Sequence, residues 1–116
     1  MNDPREVAQA VVDGAAALRQ AVPNVMKGFA TLGGATYQQG ALEPKFKELI
    51  ALAIAVNVRC DGCVAYHARA ALNRGASRDE VAEAIGVAIH MGGGPSMVYG
   101  AEALRAYDAF AESQSG

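Results

Sequence analysis

Apolar residues recur at three- and four-residue intervals along most of the chain, and Gly and Pro divide it into stretches of helical length. No run of alternating β-branched residues is long enough to propose a sheet, so the pattern predicts an all-α bundle of about six helices. The first opens at Asp3-Pro4-Arg5-Glu6, which carries a capping acid, a proline at the first helical position and a glutamate three residues after the cap, and it runs to about Gln20. A second, from Pro23-Asn24 through Met26, Phe29, Leu32 and Tyr37, is weakened by each of Gly28, Gly33 and Gly34, so its continuity is doubtful. After Pro44, the stretch Lys45 to Val56 has so few polar positions that it reads as the central, buried helix. A fourth helix spans about Cys60 to Arg74 and stops at Gly75. Ser77-Arg78-Asp79-Glu80 forms a capping box for a fifth reaching Met91. Gly92-Gly93-Gly94 reads as an interhelical turn, because neither a preceding strand nor a following Gly-Lys-Ser/Thr supports a phosphate cradle. Pro95 opens a sixth helix with Met97, Val98, Ala101, Leu104 and Phe110 at helical spacing, and fraying is expected from Glu112 onward.

Composition adds two constraints. With 116 residues, 52% of them hydrophobic and 19% charged, the chain has the length and apolar content of a single folded domain, taken as residues 1–116. Much of that apolar content is alanine, with 3 Phe, 4 Tyr and no Trp, so the core is thin and part of the missing burial is expected from association with other copies. The net charge of −2 and singly scattered Lys and Arg argue against nucleic acid as a partner. No apolar run reaches the roughly 18 to 20 residues of a membrane span. The first residues lack the basic-then-apolar order of a secretion signal, so a cytoplasmic location is expected.

The candidate chemistry lies in Cys60-Asp61-Gly62-Cys63-Val64-Ala65-Tyr66-His67. Offsets of 0, 3 and 7 fall within about 60° of arc on an α-helix, which places both sulfurs and the imidazole on one face. The first turn of a helix presents unpaired N–H groups that favour thiolate over thiol, and His67, one turn beyond Cys63, supplies a base. Glu48 is the only ionisable residue between Lys47 and Arg59 on the helix read as core. Two readings are open for it: a desolvated carboxylate whose pKa is raised and which backs His67, or an edge residue paired with Lys45. Tyr66 is a pocket candidate beside the pair, and His90 reads as an ordinary, partly exposed histidine.

Glu48 followed by Cys60-x-x-Cys63-x-x-x-His67, together with the later stretch His90 to Gly100, resembles the alkyl hydroperoxidase D branch of the carboxymuconolactone decarboxylase-like proteins, over about residues 20–110. The resemblance implies an all-α fold assembled as trimers or hexamers. It also implies a thiol-dependent peroxidase or disulfide reductase in which Cys60 and Cys63 cycle between dithiol and disulfide, with protons relayed through His67 and Glu48. Hydroperoxide or a small disulfide would be the substrate, a dithiol the reductant, and no cofactor is implied. The branch's type member has a histidine directly before its second cysteine, where this chain has Gly62. Decarboxylating members lack the cysteine pair, so their reaction is not expected here.

From the residues alone, either sulfur could attack first: helix position favours Cys60, and the spacing to His67 favours Cys63. Two other functions stand beside the redox reading. One is a metal site with Cys60, Cys63 and His67 as ligands and Glu48 or His90 as a fourth. The other is a non-catalytic oligomeric binding module whose cysteines are merely small buried residues.

Overall fold

Proline sets the start of the first three helices, its fixed φ being pre-organised for the first turn and its missing N–H costing nothing there. The computed structural model describes residues 2–115. In order the elements are α1 (Pro4–Ala21), α2 (Pro23–Thr36), α3 (Pro44–Asn57), α4 (Asp61–Asn73), α5 (Arg78–Gly92) and α6 (Gly94–Ser115), with no strand among the described residues. Asp3 caps α1 by accepting the Arg5 N–H, and the Ser77–Glu80 capping box opens α5 in both directions.

Two of the helix ends are built alike. At the end of α4 the Ala76 N–H bonds to the Ala71 carbonyl and the Gly75 N–H to that of Leu72, with Gly75 at φ 90°. At the end of α3 the Cys60 N–H bonds to the Ala55 carbonyl and the Arg59 N–H to that of Val56. Both are Schellman closures, in which a left-handed residue satisfies the last carbonyls. In the second that residue is Arg59, at φ 57°, the one non-glycine with positive φ among the described residues.

The core lies where α3 packs on α4 and α5, α4 on α6 and α1, and α5 on α6. Leu52, Val56, Val64 and Val81 are its largest fully buried side chains, and alanines such as Ala8, Ala65, Ala68, Ala103 and Ala106 fill the rest. Small residues let these helix axes approach closely, at the cost of little apolar area per contact. Gly100 belongs to the same close packing: a Cβ there would sit 2.6 Å from the Ile85 Cγ2.

Four expectations change. The second helix is unbroken through Gly28, Gly33 and Gly34, and its main packing partner is α1. The third is buried on one side only: Glu48, Leu49, Leu52, Ala55 and Val56 are covered, but Phe46, Ile50, Ile54 and Val58 form an exposed stripe at four-residue steps. In α6 the buried register is Ser96, Gly100, Ala103, Ala106, Tyr107 and Phe110, leaving Met97, Val98 and Ala101 outside. The predicted fraying is also absent, since helix continues through Ser115. Arg5 bonds to the Ser113 hydroxyl at 3.1 Å and Gln114 to Asn73 at 2.7 Å, which ties the last turns to α1 and α4. Gly116 lies outside the described residues.

Candidate redox site

The turn around Arg59 aims the backbone so that Cys60 becomes the N-cap of α4 rather than its first helical residue. Its Sγ accepts the Cys63 N–H at 3.2 Å, the position a serine or aspartate oxygen usually fills at a helix start. Cys60 and Cys63 are joined as a disulfide with a Cα–Cα separation of 5.2 Å, ordinary for a bridged pair. Cys63 is exposed and Cys60 half-buried, so solvent reaches the pair from the Cys63 side. The shared turn leaves no room for bulk beneath it: a Cβ on Gly62 would lie 2.8 Å from the Val11 Cγ2 of α1. A residue with a Cβ at this position would require Val11 to shift.

One turn further, the His67 Nδ1 lies 3.0 Å from the Glu48 Oε1. Glu48 is 5% exposed and makes its contact from α3, across the α3–α4 interface. An ionised carboxylate only accepts hydrogen bonds, so with Glu48 in that form Nδ1 is the donor, and a neutral ring would carry its lone pair on Nε2. The edge pairing considered for Glu48 does not form. Lys45 instead reaches the Glu80 Oε2 at 3.0 Å, on the α5 side of the helix.

Cys63 and His67 open on one cleft of about 520 Å³. Its floor and outer wall are apolar, formed by Ile50, Ala51, Ile54, Ala55 and Val58. Its other end carries Thr36, Tyr37 and Lys47. The Tyr37 ring centroid is 6.2 Å from that of His67, and burial, with the Glu48 charge second, holds its phenol above the ordinary value. The Lys47 Nζ donates to the Thr36 carbonyl at 2.9 Å and the Gln38 carbonyl at 2.7 Å, fastening the end of α2 to α3.

Cys60, Cys63, His67 and Glu48 are thus brought together. Tyr66 stands beside them, edge-on to the His67 ring at 5.2 Å between centroids and under the Arg69 guanidinium, but the cleft wall is Tyr37 and not Tyr66. His90 is exposed on the last turn of α5, apart from this group. Among the described residues no set of three or more His, Cys, Asp or Glu is arranged to hold a metal ion. Sequence reading missed Tyr37 and Lys47, which look like a helix-end aromatic and a surface lysine; only the return of the α2–α3 connection over α4 puts them at the cleft.

The fold and the site together define an all-helical protein with a disulfide-forming Cys-x-x-Cys centre backed by a Glu–His pair. Residues 23–106 match the sequence profile of the Carboxymuconolactone decarboxylase family, and the chain belongs to that family. An uncharacterized protein of Cupriavidus necator is 44% identical over 93 residues, covering 80% of this chain and 82% of that one. A carboxymuconolactone decarboxylase family protein from Legionella pneumophila has the same fold in its crystal structure, with a TM-score of 0.91 at 39% identity over 95% of this chain and 98% of that one. A further family member, from Thermotoga maritima, matches with a TM-score of 0.81 at 28% identity over 95% and 93% of the two chains, and for that protein an involvement in antioxidative response has been suggested. Among the described residues no helix is long and apolar enough to cross a membrane.

Proposed function

We propose that the protein is a thiol-dependent peroxidase and disulfide reductase, with Cys63 as the attacking sulfur. The observation that carries this reading is that Cys63, half of a disulfide, shares a cleft with His67, whose Nδ1 is held by a buried carboxylate. In the reduced protein the His67 Nε2 takes the Cys63 proton. The thiolate attacks one oxygen of a hydroperoxide, the O–O bond breaks, and the alkoxide leaves with the proton from the imidazolium as alcohol. Cys63 is then a sulfenic acid. The Cys60 thiolate attacks its sulfur, hydroxide leaves and takes a proton to become water, and the disulfide results. Overall, one dithiol and one hydroperoxide give one disulfide, one alcohol and one water. A dithiol donor returns the pair to its starting state by exchange, and a small disulfide is reduced by the same two sulfurs through a mixed disulfide.

The division of labour follows from access and electrostatics. Cys63 is the sulfur that solvent and the cleft reach. Cys60 sits at the N-cap, where the Cys63 N–H and the helix dipole favour its thiolate, which makes it the better leaving group when a reductant attacks Cys63. The test is turnover of an organic hydroperoxide with dithiothreitol, alongside trapping with Cys60→Ser and Cys63→Ser. Cys60→Ser should accumulate a mixed disulfide at Cys63, and Cys63→Ser should be inert. Full turnover by both variants would refute a dithiol mechanism.

The protein is further proposed to work as a homo-oligomer, a trimer or hexamer by its family resemblance. Its surface of 6869 Å² exceeds by about 900 Å² what a 12.0 kDa monomer ordinarily exposes. That excess is about one partner's share of a standard interface. The outer face of α2 supplies it most directly, with Val25, Phe29 and Leu32 on one side of the helix and exposed by 66%, 70% and 63%. A second copy of the chain is the fitting occupant, since the excess matches one protomer's share of such a contact and each copy would present the same α2 face.

A further inference from the structure

Two polar features at the α2–α3 end of the cleft are unused by the redox steps. Lys47 spends two of its three N–H donors on neutral carbonyls, and among the described residues no ion pair neutralises it. The C-terminal dipole of α2 offsets part of the charge, about half a unit; Lys47 lines a cleft whose own lining residues include no carboxylate, Glu48 lying behind it on His67. Tyr37 also lines this end, and no other side chain or backbone group hydrogen-bonds its hydroxyl among the described residues. Beyond this end the wall is apolar for the length of α3, through Ile50 and Ile54 to Val58.

A cleft that is cationic and hydrogen-bonding at one end and apolar along the rest fits one kind of small molecule. We propose that it binds apolar carboxylates, the carboxylate held by Lys47 and Tyr37 and the stem lying along Ile50, Ile54 and Val58. Taken with the peroxidase reading, on which this last step rests, the favoured substrates are hydroperoxides of fatty-acid type rather than neutral alkyl hydroperoxides.

The geometry also places the reacting group. The α3 and α4 helices run antiparallel, with Glu48 opposite His67 and Ala55 bonded to Cys60, so Cys63 is level with the middle of that span, near Leu52. Five residues of helix separate that level from Lys47, about 8 Å of rise. The O–O bond therefore sits several carbon atoms from the carboxylate, and the distal stem continues past Cys63 towards Val58.

Binding is read without turnover by measuring how octanoate and octanol, which share a stem, slow iodoacetamide alkylation of Cys63 in the reduced protein. Octanoate should protect at about tenfold lower concentration than octanol, the size expected for one charge-assisted contact in a partly solvated cleft. In Lys47→Met the two should become equal while octanol keeps its wild-type value, and Lys47→Arg should retain the preference. Equal protection in the wild-type protein would overturn the proposal. So would loss of octanol protection together with that of octanoate in Lys47→Met, because Lys47 would then serve only to fasten α2. Preferential octanoate protection in a protein that reduces no hydroperoxide would refute the peroxidase reading and leave the carboxylate site standing.

Discussion

Glu48 and His67 are 19 residues apart in sequence, yet the Glu48 Oε1 and the His67 Nδ1 meet at 3.0 Å across the α3–α4 interface. With Glu48 ionised, the contact favours the imidazole tautomer whose Nε2 carries the lone pair, and it gives a nearly buried carboxylate its hydrogen-bond partner.

If His67 is the base, His67→Asn should lower the rate of hydroperoxide reduction by on the order of 10²-fold. It should also remove the limb of the pH–rate profile that reports the base. Glu48→Gln keeps the shape and removes the charge, so a smaller loss with a shifted profile is expected. A profile unchanged in both variants would show that Cys63 needs neither group.

Arg59 holds a left-handed conformation that costs an L-residue with a Cβ about 1 kcal/mol relative to glycine. Arg59→Gly should therefore raise stability by about that amount, with unchanged disulfide formation, because the backbone turn that places Cys60 is kept. Thermal unfolding of oxidised protein checks this; a lower Tm would mean that the Arg59 side chain contributes something its backbone does not.

The carboxyls of Glu80 and Asp108 are held below the ordinary carboxylate range. For Glu80 the Ser77 N–H of the capping box acts first and Lys45 second; for Asp108 the hydrogen-bonded Arg78 guanidinium dominates. Depressed folded values mean that the unfolded chain binds more protons in acid. The stability these groups contribute is complete above the unfolded carboxylate values, near 4, and is lost as pH falls through the lower folded ones. Acid unfolding monitored by circular dichroism should show this, and Glu80→Gln should flatten the curve below pH about 4 without altering its shape near neutrality.

Self-association should make the Tm of the wild-type protein rise with concentration. Phe29→Glu places a charge in the middle of the uncovered α2 face, far in sequence from the cysteines, and should shift sedimentation towards the monomer. A monomeric wild-type protein at micromolar concentration would dispose of the oligomer proposal.

Local signals made most of the fold legible. Pro4, Pro23 and Pro44 mark helix starts, the Ser77–Glu80 box and Gly75 mark a boundary to within a residue, and the spacing of Cys60, Cys63 and His67 puts them on one side of one helix, all through interactions spanning a few residues. What pattern reading could not supply was which side of each helix finds a neighbour. From Leu49 to Val56 the third helix is apolar all round, so its composition does not distinguish the covered Leu49 and Leu52 from the exposed Ile50 and Ile54. In the same way Glu48 had two partners within reach on paper, Lys45 and His67, and only the antiparallel docking of α3 on α4 selects the imidazole while sending Lys45 to Glu80. Tyr37 and Lys47 join the cleft because a loop between helices folds back over a third. Contacts within one turn are set by bond geometry and short-range capping; contacts between helices depend on how whole faces pack, and those decide where a charge, a proton carrier and a sulfur come to share one space.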